Sequence, residues 1–119
     1  MDKIVEQTLL YDFYSELLTK KQKKIYEDYF MNDLSLAEIS EQEGISRQGV
    51  YDSIKRTTKL LGNYEEKLGL VKKFDKNTQR VNQIYKYTHS LINESELDQK
   101  ELQDIKAIQE IVETMLQEM

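Results

Sequence analysis

The sequence contains no proline in 119 residues, and this feature most constrains what the chain can fold into. Proline is the usual interruption of helices, because it lacks an amide hydrogen and its ring clashes with the preceding turn. Helix boundaries must therefore be set by capping residues and by the four glycines. Apolar residues recur at intervals of three and four along most of the chain, which indicates helices. We expect an all-α protein.

Two amphipathic helices are predicted near the amino terminus. In residues 2–18 the apolar stripe consists of Val5, Leu9, Leu10, Phe13, Tyr14, Leu17 and Leu18. The sequence TKKQ follows, in which Thr19 and Gln22 have the spacing of a capping box that opens a second helix. The expected inner side of this second helix consists of Ile25, Tyr26, Tyr29 and Phe30.

A tight turn between two helices is the most specific local signal in the sequence. Ser35 and Glu38 form a second capping-box pattern, so a short third helix is expected to run to Glu43. Gly44 stands where the chain must leave that helix, a position that favours left-handed dihedral angles. Ser46 can cap the next helix immediately afterwards. The pattern predicts a helix-turn-helix.

The helix that begins at Arg47 carries two different faces. At about 100° per residue, one narrow arc, the expected core side, holds Val50, Ile54, Thr57 and Leu61. Polar and basic residues, with Asp52 among them, spread over the opposite half. We name as the basic face Arg47, Gln48, Tyr51, Lys55, Arg56 and Lys59. Ser46 caps the start of this helix, whose dipole favours phosphate, so the basic face is the predicted binding site.

The helical pattern that starts at Arg47 continues with only two weak points. Gly62 and Gly69 each cost about 1 kcal/mol relative to alanine, so the long helix is expected to continue, kink or end near them. We divide the chain into a helix-turn-helix domain, residues 1–70, and a C-terminal helical extension, residues 71–119.

The C-terminal third predicts a helical hairpin, into which the long helix leads. Its two helices are expected at residues 77–92 and 98–118, with Asp98 and Glu101 spaced as a capping box. Spacings of three and four, as in a coiled-coil seam, separate Ile105, Ile108, Val112, Met115 and Met119. Both packing within the chain and a homodimer through residues 77–119 are consistent with this stripe.

Charge is distributed unevenly along the chain, which is acidic overall with 22 Asp and Glu against 17 Lys and Arg. Residues 1–46 hold five basic against ten acidic side chains, residues 47–80 hold nine against four, and residues 81–119 hold three against eight. Phosphate contacts dominate nucleic-acid affinity, so the local positive charge counts for more than the acidic total. Nucleic-acid binding through the basic face is one interpretation, and a solvated lysine-rich surface is the other.

Several functional classes have little support in the sequence. There is no cysteine, which speaks against disulfides and thiolate metal sites and fits a reducing cytoplasm. No apolar run approaches the roughly 18 residues of a membrane span. The single histidine, His89, has no obvious partner, and no glycine-rich phosphate loop is present. We expect a cytoplasmic protein without membrane contact, catalytic residues, metal or cofactor.

The central segment resembles region four of bacterial sigma factors. The resemblance covers residues 18–61, LTKKQKKIYEDYFMNDLSLAEISEQEGISRQGVYDSIKRTTKLL. Over its whole length the chain is more closely similar to the YlxM family of Gram-positive bacteria, small proteins typically encoded beside the signal recognition particle GTPase genes. That likeness rests on LLYDFYSELLTKKQ and SRQGVYDSIKRTTKLLGNYEEKLGL. The fold implied is an all-α helix-turn-helix bundle of the sigma-region-four-like, winged-helix-like DNA-binding class.

The resemblances also imply roles for individual residues. By analogy with sigma region four, Ser46 and Arg47 would meet phosphate or a base edge, while Gln48, Tyr51 and Lys55 would face the groove. An exposed Tyr51 between cations would also suit stacking on an unpaired base or a protein partner, whereas packing between helices would bury it.

Three functions remain open at the level of sequence. The YlxM resemblance implies a non-enzymatic regulatory or accessory role in the signal recognition particle pathway, with contact to the particle's RNA or its GTPases. A sequence-specific DNA-binding transcription regulator, dimeric through the C-terminal hairpin, is the alternative. The third possibility is an interaction module that binds through its apolar C-terminal stripe.

Overall fold

The structure of the protein is a computed structural model that describes residues 2–118. Within that range the chain forms six α-helices and contains no strand, so the all-α helix-turn-helix class is confirmed. The helices are α1 (Lys3–Tyr14), α2 (Lys20–Phe30), α3 (Leu36–Glu43), α4 (Arg47–Leu68), α5 (Leu70–Glu94) and α6 (Gln99–Glu118), and a 3-10 turn (Ser15–Leu17) follows α1. The chain divides into two compact units, Met1–Val71 and Lys72–Met119.

Reciprocal side-chain caps start α2 and α3. Thr19 Oγ1 accepts a hydrogen bond from the Gln22 amide at 3.1 Å, and Gln22 Oε1 accepts one from the Thr19 amide at 2.9 Å. Ser35 and Glu38 make the same pair of bonds at 3.1 and 3.2 Å. The predicted capping boxes at Thr19 and Ser35, two of the three predicted, are confirmed, and each cap is expected to contribute about 1 kcal/mol.

Two apolar clusters form the core of the first unit. One consists of Tyr11, Tyr14, Leu18, Tyr26, Leu61 and Val71. The other consists of Ile25, Ile39, Val50 and Ile54. Helix α2 joins both clusters, because its neighbouring residues Ile25 and Tyr26 belong to different ones. The four residues predicted for the core side of α4 are all buried, so this prediction is confirmed.

The inner face of α1 differs from the predicted stripe. Tyr11, which was not predicted, is buried together with Tyr14, whereas Val5, Phe13 and Leu17 are exposed. Leu17 lies in the 3-10 turn, whose three residues per turn break the register of an α-helix. The prediction of a single helix through residues 2–18 was therefore wrong at its end.

The last turn of α2 is also more open than the sequence suggested. Tyr29 and Phe30 were predicted to face inward, but 38% and 41% of their surfaces are exposed. Because α2 ends at Phe30, no further turn of that helix shields the two rings from solvent. Asp33, with a φ of 56°, then directs the chain toward α3.

The turn between α3 and α4 is built as the sequence predicts. Gly44 adopts the left-handed conformation with a φ of 66°. The amides of Gly44 and Ile45 both donate to the Ser40 carbonyl, at 3.0 and 3.3 Å, while the Ser40 hydroxyl donates to the Ile45 carbonyl at 2.5 Å. Ser46 Oγ accepts from the Gly49 amide at 2.9 Å and caps α4.

Alanine at two glycines should have opposite effects on stability. We expect Gly44→Ala to lower the free energy of unfolding by about 1 kcal/mol, because a side chain disfavours the left-handed conformation. Gly62→Ala should raise it by up to about 1 kcal/mol, because Gly62 lies inside α4. A Cβ atom would meet nothing within 4 Å at either position, so both effects come from the backbone. Urea unfolding measures both, and a shared sign would contradict this account of the turn.

Helix α4 continues through Gly62 and ends at Leu68, and Gly69 follows as its C-cap with a φ of 63°. Helix α5 starts directly at Leu70, so the expected start of the next helix near residue 77 was wrong. A pattern of spacings could not locate this boundary, because the apolar rhythm continues on both sides of Gly69.

A hydrogen-bonded cluster around Tyr14 holds the end of α4. The Tyr14 hydroxyl donates to Glu65 Oε1 at 2.6 Å and accepts from the Leu70 amide at 3.1 Å. The same Glu65 oxygen accepts from the Val71 amide at 2.9 Å. Burial, and next the bond to Glu65, raise the pKa of the Tyr14 hydroxyl. The cluster thus joins α1 to the residues that follow α4.

The second unit consists of most of α5 together with α6. Val81, Thr88 and Val112 are its buried residues, while Ile108 and Met115 of the predicted seam are each 43% exposed. Met119, the last residue of that seam, lies outside the described residues. The Glu101 amide donates to Asp98 Oδ1 at 2.7 Å, which keeps the pKa of Asp98 below its usual value. A homodimer through residues 77–119 stays a prediction.

Candidate nucleic-acid interface

The structure brings the predicted site residues together on one exposed side of α4. Solvent reaches all seven, which are Ser46, Arg47, Gln48, Tyr51, Lys55, Arg56 and Lys59. They lie on the side of α4 opposite its buried row, which consists of Val50, Ile54, Thr57 and Leu61. Tyr51 keeps 49% of its surface exposed, so it is available to a ligand and does not pack between helices.

The four cations of the basic face have no acidic partner in the described part of the chain. The ion pairs found there join Lys23 to Glu16, and Lys24 to both Asp28 and Glu43. These three ion pairs involve basic residues of α2. The charges of the basic face are therefore exposed and not paired with a carboxylate in the described chain, so no ion pair has to break before they contact phosphate.

The start of α4 adds further hydrogen-bond donors. Ser46 Oγ uses a lone pair to accept from the Gly49 amide, so its own hydroxyl hydrogen is still free to donate. The first amides of a helix have no carbonyl partner within it. Those of Arg47 and Gln48 therefore point along the axis toward solvent, at the end of the helix whose dipole favours anions.

Asp52 lies at one edge of the basic face. Its side chain is half-buried and lines a groove that also contains Lys21, Ser53 and Arg56. Asp52 Oδ1 accepts a hydrogen bond from Gln48 Nε2 at 3.0 Å. This carboxylate therefore lies toward the start of α2, on the edge away from Tyr51, although the helical wheel placed it among the polar residues of the face.

On the opposite edge, α4 and α2 form a groove that sequence reasoning missed. We name it the aromatic groove, and its lining residues are Tyr29, Phe30, Tyr51, Ile54, Lys55, Thr58 and Lys59. Tyr29 and Phe30 share the apolar stripe of Ile25 and Tyr26, so periodicity alone assigned them to the core. The sequence did contain one signal of their exposure. Both residues stand almost directly before the segment NDLS, where the helical pattern stops and no further helical turn can shield them from solvent.

The described residues contain neither a metal-binding group nor a membrane-spanning helix. No three His, Cys, Asp or Glu side chains of residues 2–118 lie together in a group that could hold a metal ion. Across the same residues, none of the helices combines the length and the apolar character that crossing a membrane requires.

The short capped helix, the left-handed glycine turn and the long helix with a buried row and an exposed basic face define a helix-turn-helix protein. The model of the family UPF0122, described as a helix-turn-helix protein, YlxM / p13 like, matches residues 1–117. The chain belongs to this family, which confirms the resemblance to the YlxM family stated from the sequence.

Relatives of similar length support this membership. A UPF0122 protein of Thermoanaerobacter sp. (strain X514) is 46% identical over 114 residues, covering 96% of this chain and 97% of its own. A UPF0122 protein of Acetivibrio thermocellus is 45% identical over 117 residues, covering 98% and 99%. A third, from Caldanaerobacter subterraneus subsp. tengcongensis, is 55% identical over 83 residues, covering 70% and 71%.

Proposed function

We propose that this protein is a non-enzymatic accessory protein of the signal recognition particle pathway and that it binds the particle's RNA through the basic face. The observation that carries the proposal is the group of four exposed cations on α4 that have no carboxylate partner within residues 2–118. Membership of the YlxM family supports the choice of pathway, because the proteins of this family are typically encoded beside the signal recognition particle GTPase genes.

The dimensions of α4 suit contact with a phosphate backbone. A helix rises about 1.5 Å per residue, so Arg47 and Lys59 lie about 18 Å apart along the axis. This span can meet several successive phosphates, and each contact would release condensed counterions. The acidic residues outside this segment would limit binding in other orientations, so affinity should depend on the basic face.

Charge reversal on the basic face should weaken RNA binding. We expect Lys55→Glu and Arg56→Glu, each exposed and without an ion pair in the described chain, to lower affinity for signal recognition particle RNA about tenfold each. The slope of log affinity against log salt should fall by about 1 for each lost phosphate contact. Fluorescence anisotropy at several salt concentrations measures both quantities.

The matched control is Lys86→Glu, because Lys86 is an exposed lysine of α5 outside the basic face. It makes the same change in net charge and should leave affinity within about twofold. If the control weakened binding as much as Lys55→Glu, the effect would come from overall charge. If both face variants bound the RNA normally but no longer bound the pathway's GTPases, the site would belong to a protein partner.

A DNA-binding transcription regulator is the second candidate. The exposure of Arg47 beside the free amides at the start of α4 favours it, because recognition helices contact base edges from that end. The side-chain Nε2 of Gln48 donates a hydrogen bond to Asp52. This hydrogen bond would have to break before Gln48 could form a bidentate pair with adenine. Selection from random duplex DNA separates the candidates, since an enriched palindrome would favour the regulator.

A further inference from the structure

We infer that the aromatic groove binds unpaired bases, so that the protein prefers single-stranded or looped RNA to a continuous duplex. The inference rests on the proposed function, because it assigns a substrate class to the same side of α4. It adds Tyr29 and Phe30 of α2 to the residues that contact the nucleic acid.

The floor of the groove is a set of rings supported by the core. The rings of Tyr29 and Phe30 stack with centroids 5.1 Å apart and an interplanar angle of 26°. The ring of Phe30 in turn packs against the ring of Tyr26, with 4.5 Å between the ring centroids. The ring of Tyr26 stacks on that of Tyr11, with centroids 5.4 Å apart and an interplanar angle of 8°. Tyr11 and Tyr26 are buried, so the exposed rings rest on a fixed base. Binding to a preformed platform costs little conformational entropy.

The other wall of the groove supplies a third ring and positive charge. Tyr51 lies there with 49% of its surface exposed, and Lys55 and Lys59 follow it on α4. A single strand presents flat apolar bases on one side and phosphates on the other. Rings beside ammonium groups therefore match its two sides, which is the arrangement found in proteins that bind single strands.

The charge of the groove is entirely of one sign. Among the residues that line it in the described chain there are two lysines and no carboxylate. The neighbouring groove across Tyr29 and Phe30 contains Asp33, and the groove on the far edge of α4 contains Asp52. The aromatic groove is therefore the most favourable of the three for a polyanion.

The state of the bases decides which nucleic acid can use this groove. In a continuous duplex the faces of the bases are covered by their neighbours, so rings at the protein surface cannot stack on them. Bases in loops, bulges and single strands are free to do so, and sequence-tolerant stacking on tyrosine and phenylalanine is a usual mode of RNA recognition. Duplex RNA would meet only the cations of the basic face.

The test compares aromatic with aliphatic side chains at two positions. The probe is a single-stranded RNA of about 12 nucleotides containing 2-aminopurine, whose fluorescence falls on stacking, together with the same strand annealed to its complement. Tyr29→Leu and Tyr51→Leu should each weaken single-strand binding about tenfold and reduce the quenching. Tyr29→Phe and Tyr51→Phe should keep affinity within about twofold, because the ring remains.

Duplex binding and an exposed tyrosine elsewhere provide the controls. The Tyr29→Leu variant should bind the duplex like the original protein, because Tyr29 lies outside the basic face and a duplex would meet only the cations of that face. Tyr87→Leu should change neither affinity, because Tyr87 is 67% exposed on α5 and outside the groove. Circular dichroism checks that each variant is folded. The two positions are changed separately, so the test needs only one of the two leucine variants to be folded.

Particular results would overturn the inference. If the original protein bound duplex and single strand equally, or did not quench 2-aminopurine, the groove would not hold bases. If the leucine variants bound normally while Lys55→Glu weakened binding, the proposed function would stand and this inference would fail. If neither kind of variant changed RNA binding, both proposals would be wrong. Loss of binding in the leucine and phenylalanine variants alike would exclude stacking as the cause.

Discussion

Ile39→Ala is expected to lower the free energy of unfolding by about 3 kcal/mol. Ile39 is fully buried and is the buried residue of α3, a helix of eight residues. It packs with Ile25 of α2 and with Val50 and Ile54 of α4. Removing three carbon atoms would leave a cavity at the junction of three helices, which cannot collapse without moving one of them. Urea or thermal unfolding measures the loss.

The matched control for Ile39 is the same substitution at an exposed isoleucine. Ile4→Ala should change stability by less than about 0.5 kcal/mol, because Ile4 is 74% exposed in the first turn of α1. Ile39→Val should fall between the two, with a loss of about 1 kcal/mol. A loss of less than about 1 kcal/mol for Ile39→Ala would show that α3 is not held by this contact.

Tyr14→Phe is expected to cost about 2 kcal/mol, although only one oxygen atom is removed. The hydroxyl donates to the Glu65 carboxylate and accepts from the Leu70 amide, so its loss removes two hydrogen bonds in a region that water reaches poorly. Hydrogen bonds to charged groups contribute more than those between neutral groups. The variant should keep its helix content and unfold at a lower urea concentration.

The same substitution at Tyr26 is the control, because both tyrosines are 1% exposed. The Tyr26 hydroxyl has no hydrogen-bond partner within residues 2–118, and burial raises its pKa. Removing it should leave stability unchanged or raise it by up to about 1 kcal/mol, since a buried polar group without a partner is unfavourable. Equal losses for the two variants would show that the cluster around Tyr14 contributes nothing specific.

Local features of this fold could be predicted from the sequence because they depend on residues only three or four positions apart. The caps at Thr19, Ser35 and Ser46 and the left-handed turn at Gly44 are of this kind. The buried row of α4 was equally accessible, because a helix of 22 residues gives its apolar period many repeats. The outward direction of the basic face then followed from geometry alone.

The remaining features depend on contacts between distant parts of the chain. Tyr11 is buried because its ring stacks on that of Tyr26 in α2 and its hydroxyl donates a hydrogen bond to Glu27. The spacing of apolar residues within α1 predicts neither contact. Phe30 keeps the spacing of a core residue but lies where its helix ends. The aromatic groove requires α2 and α4 to meet, so only the folded structure could show that Tyr29 and Lys59 line the same groove.

The hydroxyl caps at the starts of α2, α3 and α4 also bear on the speed of folding. Each cap is closed by a bond to a residue three positions ahead, so the first turn of each helix can nucleate without waiting for a remote segment. Domains dominated by short-range contacts reach the native state within microseconds to milliseconds. The three helices can therefore assemble while later residues are still leaving the ribosome, at about 5–20 residues per second.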